Sequence, residues 1–365
     1  MKKVSKRRFT LRLLLNRHQI SESVALSPQP GRRNSMLAGL QVAITALIAL
    51  PLIQLSPYSH LIGFASLGTL VALFGRFAPR AKRGWIVFLC LLCQSLTVFS
   101  MSTAVWAGVP VEGQLLLLAL MCGILFYLVT AGDFGPPGAL IFVFAASVSM
   151  AEVDSFTLVL QRTAATAVAA MLAWCVCMVT EILRERSFSA EVPAGGAQSL
   201  RKQAVAVTRI IIGSGVAGFI AYGYGGQYPG WAAMGAVAVL QGAHLHITMN
   251  RALQRSVGNI VGATLAGAIL LMEPSIWTVI FLVSFLCFAT EVIIGSNYGL
   301  GQILVTPMAL FMSYLAMPEF AGVAMAQERV LDTVTGAATG MIFAVAFSTM
   351  DDRRYLARHH VKRRR

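Results

Sequence analysis

The sequence predicts an all-α membrane protein of about twelve transmembrane helices, arranged as two parallel six-helix repeats. Hydrophobic residues fill 57% of the 365 positions and charged ones only 12%, about half the share an ordinary soluble domain carries. The apolar residues lie in long runs, most of them near the twenty or so residues that cross about 30 Å of hydrocarbon. Basic residues occupy alternate gaps between those runs, and motifs recur about 167 residues apart. The length alone would suggest two or three soluble domains. The shortage of charge excludes them.

Taken in order, residues 1–33 form a basic cytoplasmic N-terminal arm with nine Lys or Arg. Its stretch Phe9-Thr-Leu-Arg-Leu-Leu-Leu15 reads either as a disordered arm or as a short amphipathic helix on anionic lipid. The first membrane repeat, 34–182, has apolar runs near 36–55, 59–75, 84–107, 113–130, 136–150 and 158–182. A cytoplasmic linker, 183–203, joins it to the second repeat, 204–349. Its runs lie near 204–224, 229–247, 255–272, 275–294, 300–317 and 328–349. A basic cytoplasmic tail, 350–365, ends the chain. The runs at 136–150 and 229–247 are marginal spans, the first by length and the second by its polar end. No cleavable signal peptide is expected, because the basic head continues to the first long run. All six cysteines fall inside apolar runs and read as small apolar fillers.

Charge placement sets the orientation. With a cytoplasmic N-terminus, the inside segments 1–33, 76–83, 131–135, 183–203, 243–255 and 350–365 hold 26 of the 29 Lys and Arg. The opposite loops hold none and carry Glu112, Glu152, Asp154, Glu273 and Glu319. That asymmetry obeys the positive-inside rule and puts both termini in the cytoplasm. The net charge of +14 is therefore an orientation signal facing anionic lipid, and nucleic acid is not an expected partner.

The remaining bases, Arg162, Arg209 and Arg329, lie inside apolar runs. Arg162 and Thr166 recur in register as Arg329 and Thr333. Pro57-Tyr58 answers Tyr228-Pro229, and Arg83-Gly84 roughly answers Arg255 and Gly258. Six helices per unit is an even number, so the repeat is parallel. An arginine in hydrocarbon costs about 2.5–3.5 kcal/mol at mid-depth, so it usually faces protein or water, unless it lies shallow enough to snorkel. Arg162 and Arg329 are candidates to grip a carboxylate, whose geometry the guanidinium fork matches. Asp332, one turn after Arg329, is expected to pair with it. Pro137 and Pro307 interrupt corresponding helices of the two repeats, a pattern that often flanks a transport path. Glu181 and Glu291 are candidate proton carriers, or else plain interfacial residues. No hydrolase elbow, phosphate loop or metal cluster appears, so neither an enzyme nor a cofactor or metal is expected.

The stretch 228–267 opens with Tyr228, Pro229 and Trp231, turns through Arg251 and Arg255, and continues with Gly258, Gly262 and Gly267. It resembles the second-half signature of the fusaric acid resistance and aromatic acid exporter family of bacterial inner-membrane proteins. That resemblance implies export of aromatic carboxylic or related organic acids driven by protons, with Tyr228 and Trp231 near the substrate. The partners it implies are membrane lipid, a small organic anion, a periplasmic adaptor protein and, as an open alternative, a second copy of the chain. Many such proteins insert a large cytoplasmic domain where this chain has only 183–203. Three alternatives remain open: a major-facilitator-type carrier, an anion channel and a non-transporting assembly component. Reporter fusions after residues 80, 190 and 365 should read cytoplasmic, and those after 110, 154 and 320 periplasmic. One clear reversal within the chain would refute the orientation.

Overall fold

The computed structural model describes residues 31–185, 200–242, 245–317, 323–348, 352–353 and 355–356. The stretch Phe9–Leu15, most of the linker and most of the tail lie outside the described residues. Within them the chain is helical, with no strand. Each expected apolar run becomes a helix. The first half gives α1 (Arg32–Gln54), α2 (Ser59–Leu73), α3 (Arg80–Trp106), α4 (Val111–Ala131), α5 (Leu140–Val148) and α6 (Phe156–Leu183). The second gives α7 (Leu200–Gly223), α8 (Pro229–Leu240), α9 (Leu245–Leu270), α10 (Ile276–Ile293), α11 (Tyr298–Ala316) and α12 (Val323–Ala346).

Among the described residues, 8 helices are long and apolar enough to cross a membrane: α1, α3, α4, α6, α7, α10, α11 and α12. The other four fall short for separate reasons. The α5 helix has only 9 residues, because Gly135 and Gly138 take left-handed backbone and two prolines lie between them. The α9 helix is long enough but carries Arg251 and Arg255. The α2 and α8 helices are short, and both are wrapped by protein. Every residue of Pro229–Leu240 is buried, as is every residue of Ile62–Leu73. A short helix is tolerated there because its ends meet protein groups instead of lipid tails.

Small residues explain how these two helices come to be wrapped. The α2 helix carries Gly63, Ala65, Gly68 and Ala72, and α8 carries Gly230, Ala232, Gly235 and Ala236. A Cβ on Gly68 would lie 2.3 Å from the Thr166 carbonyl oxygen of α6. A Cβ on Gly235 would lie 3.2 Å from the Gly336 Cα of α12, and one on Gly336 would lie 2.2 Å from the Ala232 oxygen. Backbones approach this closely only where side chains are absent.

Helix ends carry ordinary signals. Ser155 caps α6 by accepting from the Leu158 N–H, Ser275 caps α10, and Asn297 caps α11 through the Gly299 and Leu300 amides. Pro229 sits in the first turn of α8, where a missing N–H costs nothing. Packing pairs repeat with a shift of six helices. The α2 helix packs on α6 and α8 on α12; α3 packs on α6 and α9 on α12; α1 packs on α10 and α7 on α4; α2 packs on α11 and α8 on α5. The last four contacts cross between halves, so the two halves interlock.

One boundary differs from expectation. Arg251 and Arg255, counted with the cytoplasmic gap 243–255, lie inside α9, which begins by Leu245. Helix α9 meets α11 through Gly258 and Gly262, and a Cβ on Gly262 would stand 2.7 Å from the Ile303 oxygen and 3.0 Å from Pro307 Cδ. Gly262→Leu should therefore lower folded yield and destabilise the protein by at least about 1–3 kcal/mol, the usual cost of overpacking. Thermal unfolding in detergent measures this, and an unchanged midpoint would place that face toward lipid.

Candidate functional site

Between the halves lies a cavity of about 2780 Å³, lined by residues from both. Drug-sized pockets run from about 300 to 1,000 Å³, so this is a vestibule. Arg80, Lys82, Arg201 and Lys202 line it as exposed side chains, and Arg184, Arg209, Glu185 and Asp352 line it too. From there it runs along α9, α11 and α12 to Arg329. Arg329 stands seventeen residues before Ala346, about 26 Å along the helix at 1.5 Å per residue. The cavity thus penetrates most of the helix length from the basic end.

Where the cavity reaches Arg329, that side chain is backed by Tyr228, Trp231, Asp332 and Thr333, which do not themselves line it. Tyr228 stacks on Trp231 with ring centroids 4.4 Å apart, and the Arg329 guanidinium lies over the Trp231 ring at 4.9 Å. A cation over an indole face is attracted by the ring quadrupole, more strongly when water is excluded. Trp231 and Arg329 are each only 2% exposed. Nε and Nη1 of Arg329 are buried with no hydrogen-bond partner among the described residues. The pair expected between Arg329 and Asp332 does not form. Asp332 turns one oxygen to the Tyr224 hydroxyl, while its other oxygen is buried without a partner, as is the Thr333 hydroxyl.

Two carboxylates of α12 hold the loop between α7 and α8. The Tyr228 N–H donates to Glu328 at 2.6 Å, and the Tyr224 O–H donates to Asp332. Burial, with the Glu328 charge second, pushes the Tyr228 hydroxyl up to about 12. Burial and then the bond to Asp332 raise Tyr224 as well. Both phenols are therefore donors at neutral pH.

Arg255 also lines the cavity, from α9, and is 2% exposed. Its Nη1 donates to Gln302 of α11 at 3.1 Å, its Nε has no partner, and its charge bears on Arg329. Sequence reasoning read it as a signature residue and an orientation charge. Its depth within α9 was the missing signal.

Arg162 stands apart from this group. It donates to the carbonyls of Ala151 and Glu152 at 2.9 and 2.6 Å and lies over Phe64 at 4.7 Å. Thr166 donates to the Phe64 and Arg162 carbonyls. Arg162 and Thr166 are thus together, Arg329 gathers with Trp231, Tyr228, Asp332 and Thr333, and neither Arg162 nor Thr166 lines the cavity. Phe64 and Arg162 recur 167 positions later as Trp231 and Arg329, and both pairs make the same cation–ring contact. Pro137 lines the cavity; Pro307 instead packs against Gly262.

Glu181 and Glu291 both line the cavity toward its basic end, and each is ion-paired. Arg83 meets Glu181 at 2.6 Å and Gln41 at 2.7 Å, and Arg184 meets Glu181 at 2.9 Å. Arg76 pairs with Glu291, and both are buried. The Arg83–Glu181 pair ties α3 to α6, and the Arg76–Glu291 pair ties the segment after α2 to α10. Removing one partner of a buried pair leaves an uncompensated charge.

Comparison with known proteins agrees with this architecture. A family model described as "Fusaric acid resistance protein-like" matches residues 216–343. Over 91 residues the chain is 36% identical to "Uncharacterized membrane protein YvaC" of Bacillus subtilis (strain 168), a match covering 25% of this chain and 14% of that protein. The chain thus spans a small part of that relative's length. No solved structure matches. For the buried pair, Glu291→Gln should destabilise by about 3 kcal/mol, and Arg76→Met with Glu291→Leu should cost less than the two single changes together. Additive losses on thermal unfolding would show that the pair is not coupled. From α7 to α12, over residues 216–343, this multi-pass helical membrane protein is similar to the fusaric acid resistance protein-like family.

Proposed function

We propose that the protein is a transporter of the bacterial inner membrane that exports aromatic carboxylic or related organic acids. Its twelve helical segments act as two parallel repeats, with both termini in the cytoplasm. The observation that carries the reading is the cavity. It is open along a basic rim, reaches deep between the halves, and ends at an arginine with buried, unpartnered N–H groups. A basic rim concentrates anions by electrostatic steering, and a buried guanidinium favours a carboxylate as ligand. The shared cation–ring contact and the packing pairs shifted by six helices support the repeat. The family match supports efflux.

In this reading the organic anion enters from the cytoplasm, and its carboxylate meets Arg329, whose guanidinium lies over Trp231 with Tyr228 stacked beyond. Thr333 and Asp332 stand one turn further along α12, behind the cavity wall, and Pro137 lines the wall along the path. Arg162, Thr166 and Pro307 support it from the packing around the central helices. Glu291 and Glu181 couple transport to protons, because a proton on either carboxylate weakens its bond to Arg76, Arg83 or Arg184 and loosens that end of the cavity. A periplasmic adaptor protein would take the released acid onward, and a homo-oligomer is compatible with the lipid-exposed faces.

Counterflow of a radiolabelled aromatic acid in proteoliposomes tests the proposal. Wild-type protein should show saturable, trans-stimulated exchange, which a channel does not give. Arg329→Gln should weaken apparent affinity about ten- to a hundredfold, the worth of one charge-assisted contact, and Arg329→Lys should restore only part. Exchange with wild-type affinity in folded Arg329→Gln would refute the assignment.

A further inference from the structure

The two halves carry matching arginines, yet only one set is free to receive a ligand. In the first half, both Arg162 Nη atoms are occupied by the Ala151 and Glu152 carbonyls. Arg83, the rough counterpart of Arg255, is bonded to Glu181 and Gln41. Only the Nε of each is left without a partner, and neither side chain lines the cavity.

The second half differs at both positions. Arg329 has two buried nitrogens without partners, where Arg162, Arg83 and Arg255 each have only Nε, and Arg255 makes one side-chain bond where Arg83 makes two. Both side chains are 98% buried, both line the same cavity, and they stand on helices that pack together. Like charges repel, and the neighbouring carboxylates of α12, Glu328 and Asp332, are turned to the Tyr228 N–H and the Tyr224 hydroxyl. Fixed, desolvated cations left in this state are stabilised by an anion that takes up their N–H groups. Gln302 holds one arm of Arg255, so that side chain is oriented before any ligand arrives. Met234, Met308 and Phe144 also line the cavity and give an apolar ligand body something to pack against.

We infer that Arg255 and Arg329 together form a single carboxylate site per chain, and that the first half, plugged by its own carbonyls, is a structural counterpart without a ligand. This rests on the transport reading and adds to it the second binding residue, the stoichiometry and the division of labour between halves.

The test uses the full chain purified in detergent, with benzoate, phenylacetate and butyrate as probes and chloride as the control anion. Saturable binding of at least one carboxylate should reach one per chain and raise the thermal midpoint where equal chloride does not. Arg255→Gln and Arg329→Gln should each weaken that binding by about tenfold or more. Arg162→Gln should lower the midpoint without ligand and leave carboxylate affinity unchanged, and Arg162→Lys should recover part of the stability. Without ligand, Arg329→Gln should melt no lower than wild type, because it removes an uncompensated buried cation. Two carboxylates per chain, wild-type affinity after loss of both Arg255 and Arg329, or no binding of any probe would overturn the inference. Flux in proteoliposomes separates it from the transport reading. Exchange that survives loss of both arginines would leave transport standing and remove this site; binding without any exchange would do the reverse.

Discussion

A guanidinium packed over an indole face, deep between helices and with two buried N–H groups unpartnered, is the constraint around which this fold makes sense. Such a group is costly in hydrocarbon and only partly compensated by a ring face. Trp231 can lie under Arg329 only because α8 comes close to α12, and that approach depends on Gly235, Gly336 and the alanines between them. The wrapped central helices, the aromatic corner at 228–231 and the bonds from α12 to the loop above it all serve one geometry. They hold a positive charge at the closed end of a cavity whose open end is also positive.

The same device appears twice, with opposite outcomes. Arg162 over Phe64 has both Nη groups answered by two carbonyls just before α6, and Thr166 ties the same helix to α2. Arg329 over Trp231 is left open, with Asp332 drawn aside by Tyr224. Where one copy of a repeat is satisfied internally and the other is not, the unsatisfied copy is the place to look for a ligand. Ala165 in the first half, where the second has Asp332, already marks the asymmetry in the sequence.

Much of the fold was legible in the residues. The apolar runs give every helix in order, because a long unbroken run has few alternatives to a helix in lipid. Periodicity could not separate a helix that faces lipid from one wrapped by protein, since both are apolar on all sides. That is why α2 and α8 read as spans, although their Gly and Ala density was a usable sign. The register of Arg162 with Arg329 was readable from the repeat. Which of them is answered by backbone was not, because the carbonyls of 151 and 152 reach Arg162 only through the turn into α6. The depth of Arg255 was not readable for a simpler reason: counting charges by gap assigns sign and side, and ignores depth within a helix.

Accessibility along the cavity tests the account most directly. In a background without the six native cysteines, single cysteines at Gln302, Met308 and Met234 would be exposed to a charged, membrane-impermeant thiol reagent in inside-out and right-side-out vesicles. The account predicts labelling from the cytoplasmic face at all three positions, slowed by a bound aromatic carboxylate, and little labelling from the other face. Labelling only from the periplasmic face, or none at Gln302 and Met308 from either face, would contradict a cavity that runs from the basic rim to Arg329.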